Sequence, residues 1–326
     1  MAAPLIATTP AGERALRQHA PEIAEQCRFL LLNEDGSLPA DASEAADILL
    51  VFYDLFFTAH VSASPITENL SAVAGECSWV QAGSAGWDDA FLGSIKHSAR
   101  RYCNASGVHA PSIANYVFAH FLAHCKRLDL HRLQQAEHIW QGQGGDGELT
   151  EAHLGIVGYG GIGREIARLG RAFNMHITAI RRSPQPDPHA DEVWGTDRLD
   201  ELIAQSAYLA LCAPHSSETE GLLDARRLAL MPEGSVLVNV GRGSAIVEAD
   251  LIEALKRGRP AYAAIDTTAT EPLPEDSPLW DTPNLYISPH DSAFSPHSVP
   301  RLMKLFAENI RRHIAGEELL NLVTED

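Results

Sequence analysis

Two series of short apolar runs, separated by amphipathic stretches, dominate the hydrophobic pattern of this chain. The first series lies within the first hundred residues, where runs rich in aliphatic side chains and bounded by turn residues are typical of buried strands. Its runs are LIAT, CRFLLL, DILLVF and CSWVQAG. After the first run, Thr9 and Pro10 can start a helix that continues to about Gln26. This alternation predicts a small parallel α/β domain.

A long helical pattern and a glycine-rich stretch precede the second series. The pattern covers residues 111–133, and QGQGGDGELT follows it shortly afterwards. Six predicted strands make up the second series: HLGIVG, HITAI, AYLALCA, SVLVNV, AYAAID and LYISP. Six strands with helical segments between most of them predict a doubly wound dinucleotide-binding fold. The last thirty residues form a helical pattern that ends near Gly316.

Composition narrows the class of protein. A length of 326 residues favours two domains, and 45% hydrophobic with 21% charged residues is the balance of a globular protein. The formal charge of -18 argues against nucleic acid or an anionic membrane as a partner. The chain has no signal-peptide pattern, no long apolar span and five scattered cysteines without C-x-x-C spacing. We therefore expect a cytoplasmic protein with reduced thiols and no metal site.

The stretch LGIVGYGGIGREIA carries the first chemical signal. Gly158, Gly160 and Gly163 stand between a predicted strand and a predicted helix, which is the setting of a dinucleotide fingerprint. These glycines allow a tight turn, close approach of a pyrophosphate and close helix–strand packing, and the helix N-terminus attracts the phosphates. The alternative is a glycine-rich loop without a ligand. Further cofactor contacts are expected from the rest of the loop, at Tyr159, Gly161 and Ile162.

The next predicted strand indicates which dinucleotide is bound. It ends in Arg181, Arg182 and Ser183, and no acidic residue follows until Asp187. An acid at this point would bind the ribose 2′-hydroxyl of NAD, whereas arginine accommodates the 2′-phosphate of NADP and can stack on adenine. We predict NADP, with NAD possible; the alternative is a solvated basic pair on a loop. Other expected cofactor contacts are Pro214, Thr219, Val240, Asp266 and His290.

Three residues far from the glycine loop suit the reduction of a 2-keto acid. Arg242, in NVGRG, has a guanidinium that can hold a carboxylate and a ketone oxygen together. His290, after Pro289, can donate a proton near neutral pH. Glu271 could pair with that imidazole and raise its pKa. The alternatives are an ion pair for the arginine, a surface acid for the glutamate and an ordinary loop histidine.

The chain resembles the D-isomer-specific 2-hydroxyacid dehydrogenase family in VLVNVGRGSAIVEADLIEAL, AIDTTATEPLP, SPLWDTPNLYISPHDSA and GSAGWDD. The resemblance implies a flavodoxin-like substrate domain, residues 1–105 completed by the C-terminal helix 296–326, and a Rossmann dinucleotide-binding domain, residues 106–295. The active site would lie in the cleft between two doubly wound parallel sheets. The family's arginine, glutamate and histidine carry over to Arg242, Glu271 and His290. Its aspartate, which supports cofactor binding and pH response, carries over to Asp266.

The resemblance also implies a substrate loop and a dimer. Backbone amides at Ser84, Ala85 and Gly86 would receive the substrate carboxylate, although an ordinary turn is the alternative. A homodimer would form through the 111–133 helix and HIWQGQGG, with Trp140 as an aromatic anchor. Three departures from the family pattern make the substrate harder to name: DTTATEP after the aspartate, Asn115 in place of a glutamate, and Asp291 beside the histidine.

The function expected from the sequence is reduction of a small 2-keto acid, such as glyoxylate or hydroxypyruvate, to the D-2-hydroxy acid. NADPH would supply the hydride from nicotinamide C4, and His290 the proton. One alternative is an NAD-linked dehydrogenase of the same family that works oxidatively. Another is a dinucleotide-sensing scaffold, like the family's corepressor members.

Overall fold

A computed structural model describes residues 3–61, 65–142 and 147–324 of the chain. The chain divides into two compact units. One unit comprises Met1–His109 together with Ser295–Asp326, and the other comprises Ala110–Phe294. Among the described residues, no helix combines the length and the apolar composition that a membrane span requires.

The first unit is built on a five-stranded parallel sheet. Its strands are β1 (Leu5–Thr8), β2 (Arg28–Leu31), β3 (Ile48–Val51), β4 (Trp79–Ala82) and β5 (Tyr102–Cys103). The order β2-β1-β3-β4-β5 is the flavodoxin-like order. Its helices are α1 (Pro10–His19), α2 (Pro21–Ala24), α3 (Tyr53–Val61), α4 (Ile66–Glu76), α5 (Ala90–Ser98) and the C-terminal α12 (Ser298–Ala315). The predicted end of that last helix is confirmed, because Gly316 caps it with a φ of 72°.

The second unit contains a seven-stranded parallel sheet of order β12-β11-β10-β9-β6-β7-β8. Its strands are β6 (His153–Val157), β7 (His176–Ile180), β8 (Glu192–Trp194), β9 (Tyr208–Leu211), β10 (Val236–Asn239), β11 (Tyr262–Ile265) and β12 (Leu285–Ile287). Its helices are α6 (Ala110–Cys125), α7 (Leu128–Ala136), α8 (Gly161–Ala172), α9 (Leu199–Gln205), α10 (Ala225–Leu228) and α11 (Glu248–Lys256). This is a Rossmann fold, so the predicted class of two doubly wound parallel sheets is confirmed.

Two helix predictions are wrong in detail. The helix expected from Pro10 to about Gln26 ends at His19, because Pro21 has no amide to continue it and starts α2 instead. The single pattern over 111–133 forms two helices, since Arg127 adopts a left-handed conformation with a φ of 49° between α6 and α7. In both places one backbone position interrupts an amphipathic pattern that continues across it.

The parallel arrangement collects the candidate residues at one edge of the second sheet. Strands β6, β7, β9, β10, β11 and β12 run in the same direction, so their carboxyl ends meet at that edge. The segments that follow these strands contain the glycine loop, the arginine pair, Pro214, Arg242, Asp266 and His290. Ligands of open α/β sheets bind at this edge.

Candidate active site

The glycine-rich loop has the backbone geometry that a pyrophosphate requires. Gly158 has a φ of 98°, and a Cβ there would lie 2.5 Å from the amide nitrogen of Ala213. At Gly160, by contrast, a Cβ would meet no atom within 4 Å, so this point of the backbone is open. A Cβ at Gly163 would overlap the carbonyl oxygen of Gly158, which shows how closely α8 packs on the loop.

The start of α8 supplies backbone amides that can donate hydrogen bonds to a pyrophosphate. The first hydrogen bond within the helix runs from Arg164 N to Gly160 O, so the amides of Gly161, Ile162 and Gly163 precede the intrahelical ladder. Such amides and the positive end of the helix dipole attract a pyrophosphate. The loop and the open face at Gly160 therefore fit a nicotinamide dinucleotide.

The predicted adenosine contacts lie directly beyond β7. Arg181, Arg182 and Ser183 are all exposed, so both guanidinium groups are accessible to a phosphate. The Arg181 backbone is anchored, because its amide donates to Trp194 O at 3.1 Å. This anchor comes from β8, a three-residue edge strand that the sequence analysis missed.

The other predicted cofactor positions follow β9 and β10. Thr219 Oγ1 donates to Pro214 O at 2.8 Å and accepts from Ser216 N at 2.8 Å, which closes a turn after β9. The Val240 amide donates to Leu211 O at 2.9 Å and thereby continues the pairing of β10 with β9. These contacts hold the two segments in a defined backbone conformation.

A side chain at the end of β10 shapes the turn that carries Arg242. Asn239 is fully buried, accepts from Gly241 N at 3.0 Å and donates Nδ2 to Arg242 O at 3.1 Å. The Arg242 side chain is partly exposed, and Nη1 donates to Gly241 O at 3.1 Å. Gly243 follows, in contact with the backbone of Thr268. The hydrogen bonds of Asn239 thus fix the backbone turn that carries Arg242.

Glu271 and His290 form an ion pair. His290 Nδ1 lies 2.8 Å from Glu271 Oε2, and the two side chains are 48% and 40% exposed. The other carboxylate oxygen of Glu271 accepts from Thr268 N at 3.1 Å, which holds the carboxylate in position. The Glu271 carboxylate accepts a hydrogen bond from the Nδ1–H group, so Nε2 is the ring nitrogen left for a reacting group.

The pair shifts both pKa values. The hydrogen bond that His290 donates to Glu271 is the largest influence on His290 and raises its pKa, against a lowering by burial and by the charge of Arg242. Burial is the largest influence on Glu271 and raises its pKa, but His290, the Thr268 amide and Arg242 together lower it below its usual value. The imidazolium form of His290 is therefore stabilised towards higher pH. The positive charge of Arg242 lowers the pKa of both Glu271 and His290, so the three side chains interact electrostatically.

Asp266 is the centre of a buried polar network. Its side chain is 2% exposed. Oδ1 accepts from Ser288 Oγ at 2.6 Å and from Asp291 N at 3.0 Å, and Ser292 Oγ donates to Oδ2. Tyr116 on α6 extends the network, with its hydroxyl 2.8 Å from Ser288 Oγ. The Asp266 carbonyl also accepts from His290 N at 2.9 Å, so the network positions the histidine backbone.

Of the three departures from the family pattern, only Asp291 hydrogen-bonds to the Asp266 carboxylate. In the DTTATEP segment, Ala269 N donates to Glu248 Oε1 at 2.8 Å, so the start of α11 anchors the loop. Asp291 contributes its backbone amide to Asp266, and its side chain is exposed. Asn115 is exposed on α6.

Ser84, Ala85 and Gly86 lie in the first unit, directly after β4, and all three are partly exposed. Three consecutive carbonyls of this loop are bound by the segment that follows β5. Gly83 O pairs with His109 Nε2 at 3.1 Å, and Ser84 O accepts from Ala105 N at 2.8 Å. Ala85 O accepts from Asn104 Nδ2 at 2.9 Å. The orientation of the three peptide groups is therefore determined within this unit.

The residues that support the site were not predicted from the sequence. Asn239, Ser288, Ser292, Tyr116 and Thr268 were not singled out. Asn239 and Thr268 lie in stretches that were noticed for other reasons, NVGRG and DTTATEP. The serines and the tyrosine contact the site through bonds that span 22 to 172 residues of the chain.

Comparisons with known proteins show which family this chain resembles. Residues 118–292 match the family described as D-isomer specific 2-hydroxyacid dehydrogenase, NAD binding domain. A hydroxypyruvate reductase of Blautia hydrogenotrophica is 36% identical over 169 residues, which cover 52% of each chain. A family member from Aeromonas salmonicida has a crystal structure with a TM-score of 0.78, 30% identity and full coverage of both chains.

Another crystal structure is that of a D-isomer specific 2-hydroxyacid dehydrogenase from Xanthobacter autotrophicus in complex with NADPH and MES. The two structures align with a TM-score of 0.80 and 25% sequence identity. The alignment covers 99% of this chain and 98% of the Xanthobacter chain.

The fold and the site define an NAD(P)-dependent oxidoreductase, because a dinucleotide-binding Rossmann unit carries an arginine, a glutamate and a histidine at its ligand-binding edge. The chain belongs to the D-isomer specific 2-hydroxyacid dehydrogenase family, as its sequence predicted.

Proposed function

We propose that this protein reduces a small 2-keto acid, such as glyoxylate or hydroxypyruvate, to the D-2-hydroxy acid. The observation that carries the proposal is the His290–Glu271 pair, because an imidazole with a raised pKa is suited to protonate a ketone oxygen. NADPH, when bound, supplies the hydride. Arg242 binds the substrate carboxylate and the ketone oxygen, and Asp266 keeps the His290 backbone in place.

The loop after β4 supports a second carboxylate contact. In a trans peptide the N–H and the C=O point in opposite directions. Since the carbonyls of Gly83, Ser84 and Ala85 are bound on one side, the amides of Ser84, Ala85 and Gly86 are directed to the other. Consecutive amides of this kind form an anion-binding nest. We propose that this nest binds the substrate carboxylate and that residues 1–105 with 296–326 form the substrate domain.

A turnover assay tests the proposed reaction. Purified protein is incubated with NADPH and, separately, with NADH, against a panel of 2-keto acids that includes glyoxylate and hydroxypyruvate, and cofactor oxidation is followed by absorbance. The proposal expects NADPH oxidation that depends on a 2-keto acid. Oxidation of D-2-hydroxy acids with NAD, without measurable reduction, would favour the oxidative dehydrogenase. Cofactor binding without turnover in either direction would favour the dinucleotide-sensing scaffold.

NADPH is expected to bind at least about tenfold more tightly than NADH, which corresponds to about 1.4 kcal/mol. The reason is that Arg181 and Arg182 are exposed beyond β7 and can pair with the 2′-phosphate. Titration of both cofactors by fluorescence gives the two dissociation constants. The Arg181→Ala variant should lose most of the preference. The Arg257→Ala variant is the control, because Arg257 is also exposed but follows α11 at the opposite edge of the sheet. Equal affinities in the unmodified protein would contradict the assignment.

We propose a homodimer through residues 111–133 and HIWQGQGG, a region that contains α7. None of the residues of α7 is buried, and four large apolar side chains in this region are exposed. They are Leu128, Leu133, Ile139 and Trp140, the last of them completely exposed. Residues 143–145, part of the same predicted interface, lie outside the described residues.

Sedimentation velocity at micromolar concentration should show a dimer, because apolar side chains of this size are normally covered in a stable protein. Leu133→Asp should shift the distribution towards monomer, since it places a charge in the interface. Leu31→Asp is a control, since Leu31 is an exposed leucine of the first unit. A monomeric unmodified protein would rule out this interface.

A further inference from the structure

The carboxylate of Asp187 is held by a residue of the glycine-rich loop and by the first turn of α8. Tyr159, the second residue of that loop, donates its hydroxyl to Asp187 Oδ1 at 3.0 Å. Arg164 Nε, in the first turn of α8, lies 2.7 Å from Oδ2, and only 11% of the Asp187 side chain is exposed. The loop is tied to β7, because the amides of Gly158 and Tyr159 both donate to Ile180 O at 3.1 Å.

This position matters for recognition of the adenosine ribose. Dinucleotide folds place the acidic residue that binds the 2′-hydroxyl beyond this strand. Asp187 is the only acidic residue from position 181 to position 188. A free carboxylate here would accept from a 2′-hydroxyl and repel a 2′-phosphate. The arginine pair at 181 and 182 would then act against a negative charge in the same segment between β7 and β8.

Asp187 remains ionised, so its charge has to be compensated by a partner. Burial raises its pKa, but the His189 amide, the Tyr159 hydroxyl and the Arg164 guanidinium together lower it below the usual value. The compensating cation is Arg164. Its side chain is 54% exposed and meets the carboxylate from the helix that follows the glycine loop. The Tyr159 hydroxyl and the His189 amide both occupy Oδ1, which leaves that oxygen less available to a ribose hydroxyl.

Resting on the proposed preference for NADPH, we propose that Arg164 determines cofactor specificity. By pairing with Asp187, it compensates the one carboxylate of residues 181–188 and so admits a 2′-phosphate beside Arg181 and Arg182. This role differs from that of the arginine pair, because Arg164 acts through Asp187. It is a positioning residue, and its effect depends on the presence of that carboxylate.

Four variants of the full chain test the proposal: Arg164→Gln, Asp187→Asn, the double variant and the control Arg168→Gln. Arg168 is exposed on the same helix and pairs with Glu165 at 2.8 Å, so its replacement removes an equal charge. Dissociation constants for NADPH and NADH are measured by fluorescence at low ionic strength, where an exposed charge is least screened. Arg164→Gln should weaken NADPH binding about tenfold and change NADH binding by less than about threefold. The double variant should recover NADPH binding to within about threefold of the unmodified protein, and Arg168→Gln should change neither constant.

Two outcomes would overturn the proposal. An equal loss of affinity for both cofactors in Arg164→Gln would mean that the arginine only stabilises the loop. A selective loss that Asp187→Asn does not restore would mean that Arg164 itself binds the phosphate. The proposed NADPH preference fails separately, if the unmodified protein binds both cofactors equally. In that case the role of Arg164 is still tested by the ratio of the NADPH and NADH dissociation constants. A shift of this ratio towards NADH in Arg164→Gln would support the role, and an unchanged ratio would contradict it.

Discussion

The His290→Gln variant is expected to reduce 2-keto acids about 100-fold to 10,000-fold more slowly than the unmodified protein, which is the usual contribution of a general acid. Glutamine keeps much of the side-chain shape but has no proton to transfer. Cofactor affinity, measured by fluorescence titration, should be retained. Because His290 has a φ of 54°, His290→Asn serves as a second variant, since asparagine tolerates this conformation well. His297→Gln, at an exposed position, is the control.

The pH profile separates proton transfer from simple positioning. Reduction needs the imidazolium form of His290, whose pKa is raised by the hydrogen bond that it donates to Glu271. Activity should therefore persist up to that raised pKa and fall as pH increases through it. Glu271→Gln removes the largest raising influence and should move this fall to lower pH, with a smaller loss at neutral pH. If His290→Gln and His290→Asn both retain near-normal rates and an unchanged profile, the proton donor is another group.

The Gly243→Ala variant is expected to lose about 100-fold in activity and about 1–3 kcal/mol in stability, because overpacking moves backbone that positions the site. A Cβ at position 243 would overlap the carbonyl group of Thr268 and lie 2.5 Å from the amide nitrogen of Ala269. Displacement of Thr268 would break its 3.1 Å hydrogen bond to Glu271, whose other oxygen holds His290. Turnover and thermal unfolding measure the two effects.

Gly75→Ala is the matched control for this variant. A Cβ at Gly75, in α4, would meet only the carbonyl oxygen of Ser98, at an ordinary contact distance of 3.7 Å. Alanine also favours a helix more than glycine does, so this variant should be unchanged or slightly more stable. Normal activity and normal stability in Gly243→Ala would show that the loop after β11 can move without affecting Glu271.

The strands and the candidate chemistry were predictable because their signals are local. Strands such as Ile48–Val51 and Val236–Asn239 are buried on both faces, so they read as continuous aliphatic runs. The glycine spacing in residues 158–163 identifies a turn and a helix start within a few positions. By contrast, β8 has three residues and β5 has two, which are too few to show a periodicity. The helix break at Arg127 could not be predicted either, because a single residue in the left-handed conformation does not change the amphipathic pattern of the sequence.

The sequence by itself determined the two α/β units, the dinucleotide loop and the residue types that can handle a 2-keto acid. Tertiary structure alone decided which groups surround them. Asp266 receives hydrogen bonds from Ser288 and Ser292, and Arg164 meets Asp187 across 23 positions of the chain. Hydrophobic periodicity reflects burial along a single element, whereas these contacts form between elements that only the packed sheet brings together. The charge on Asp187 and the raised pKa of His290 therefore depend on partners that no local pattern specifies.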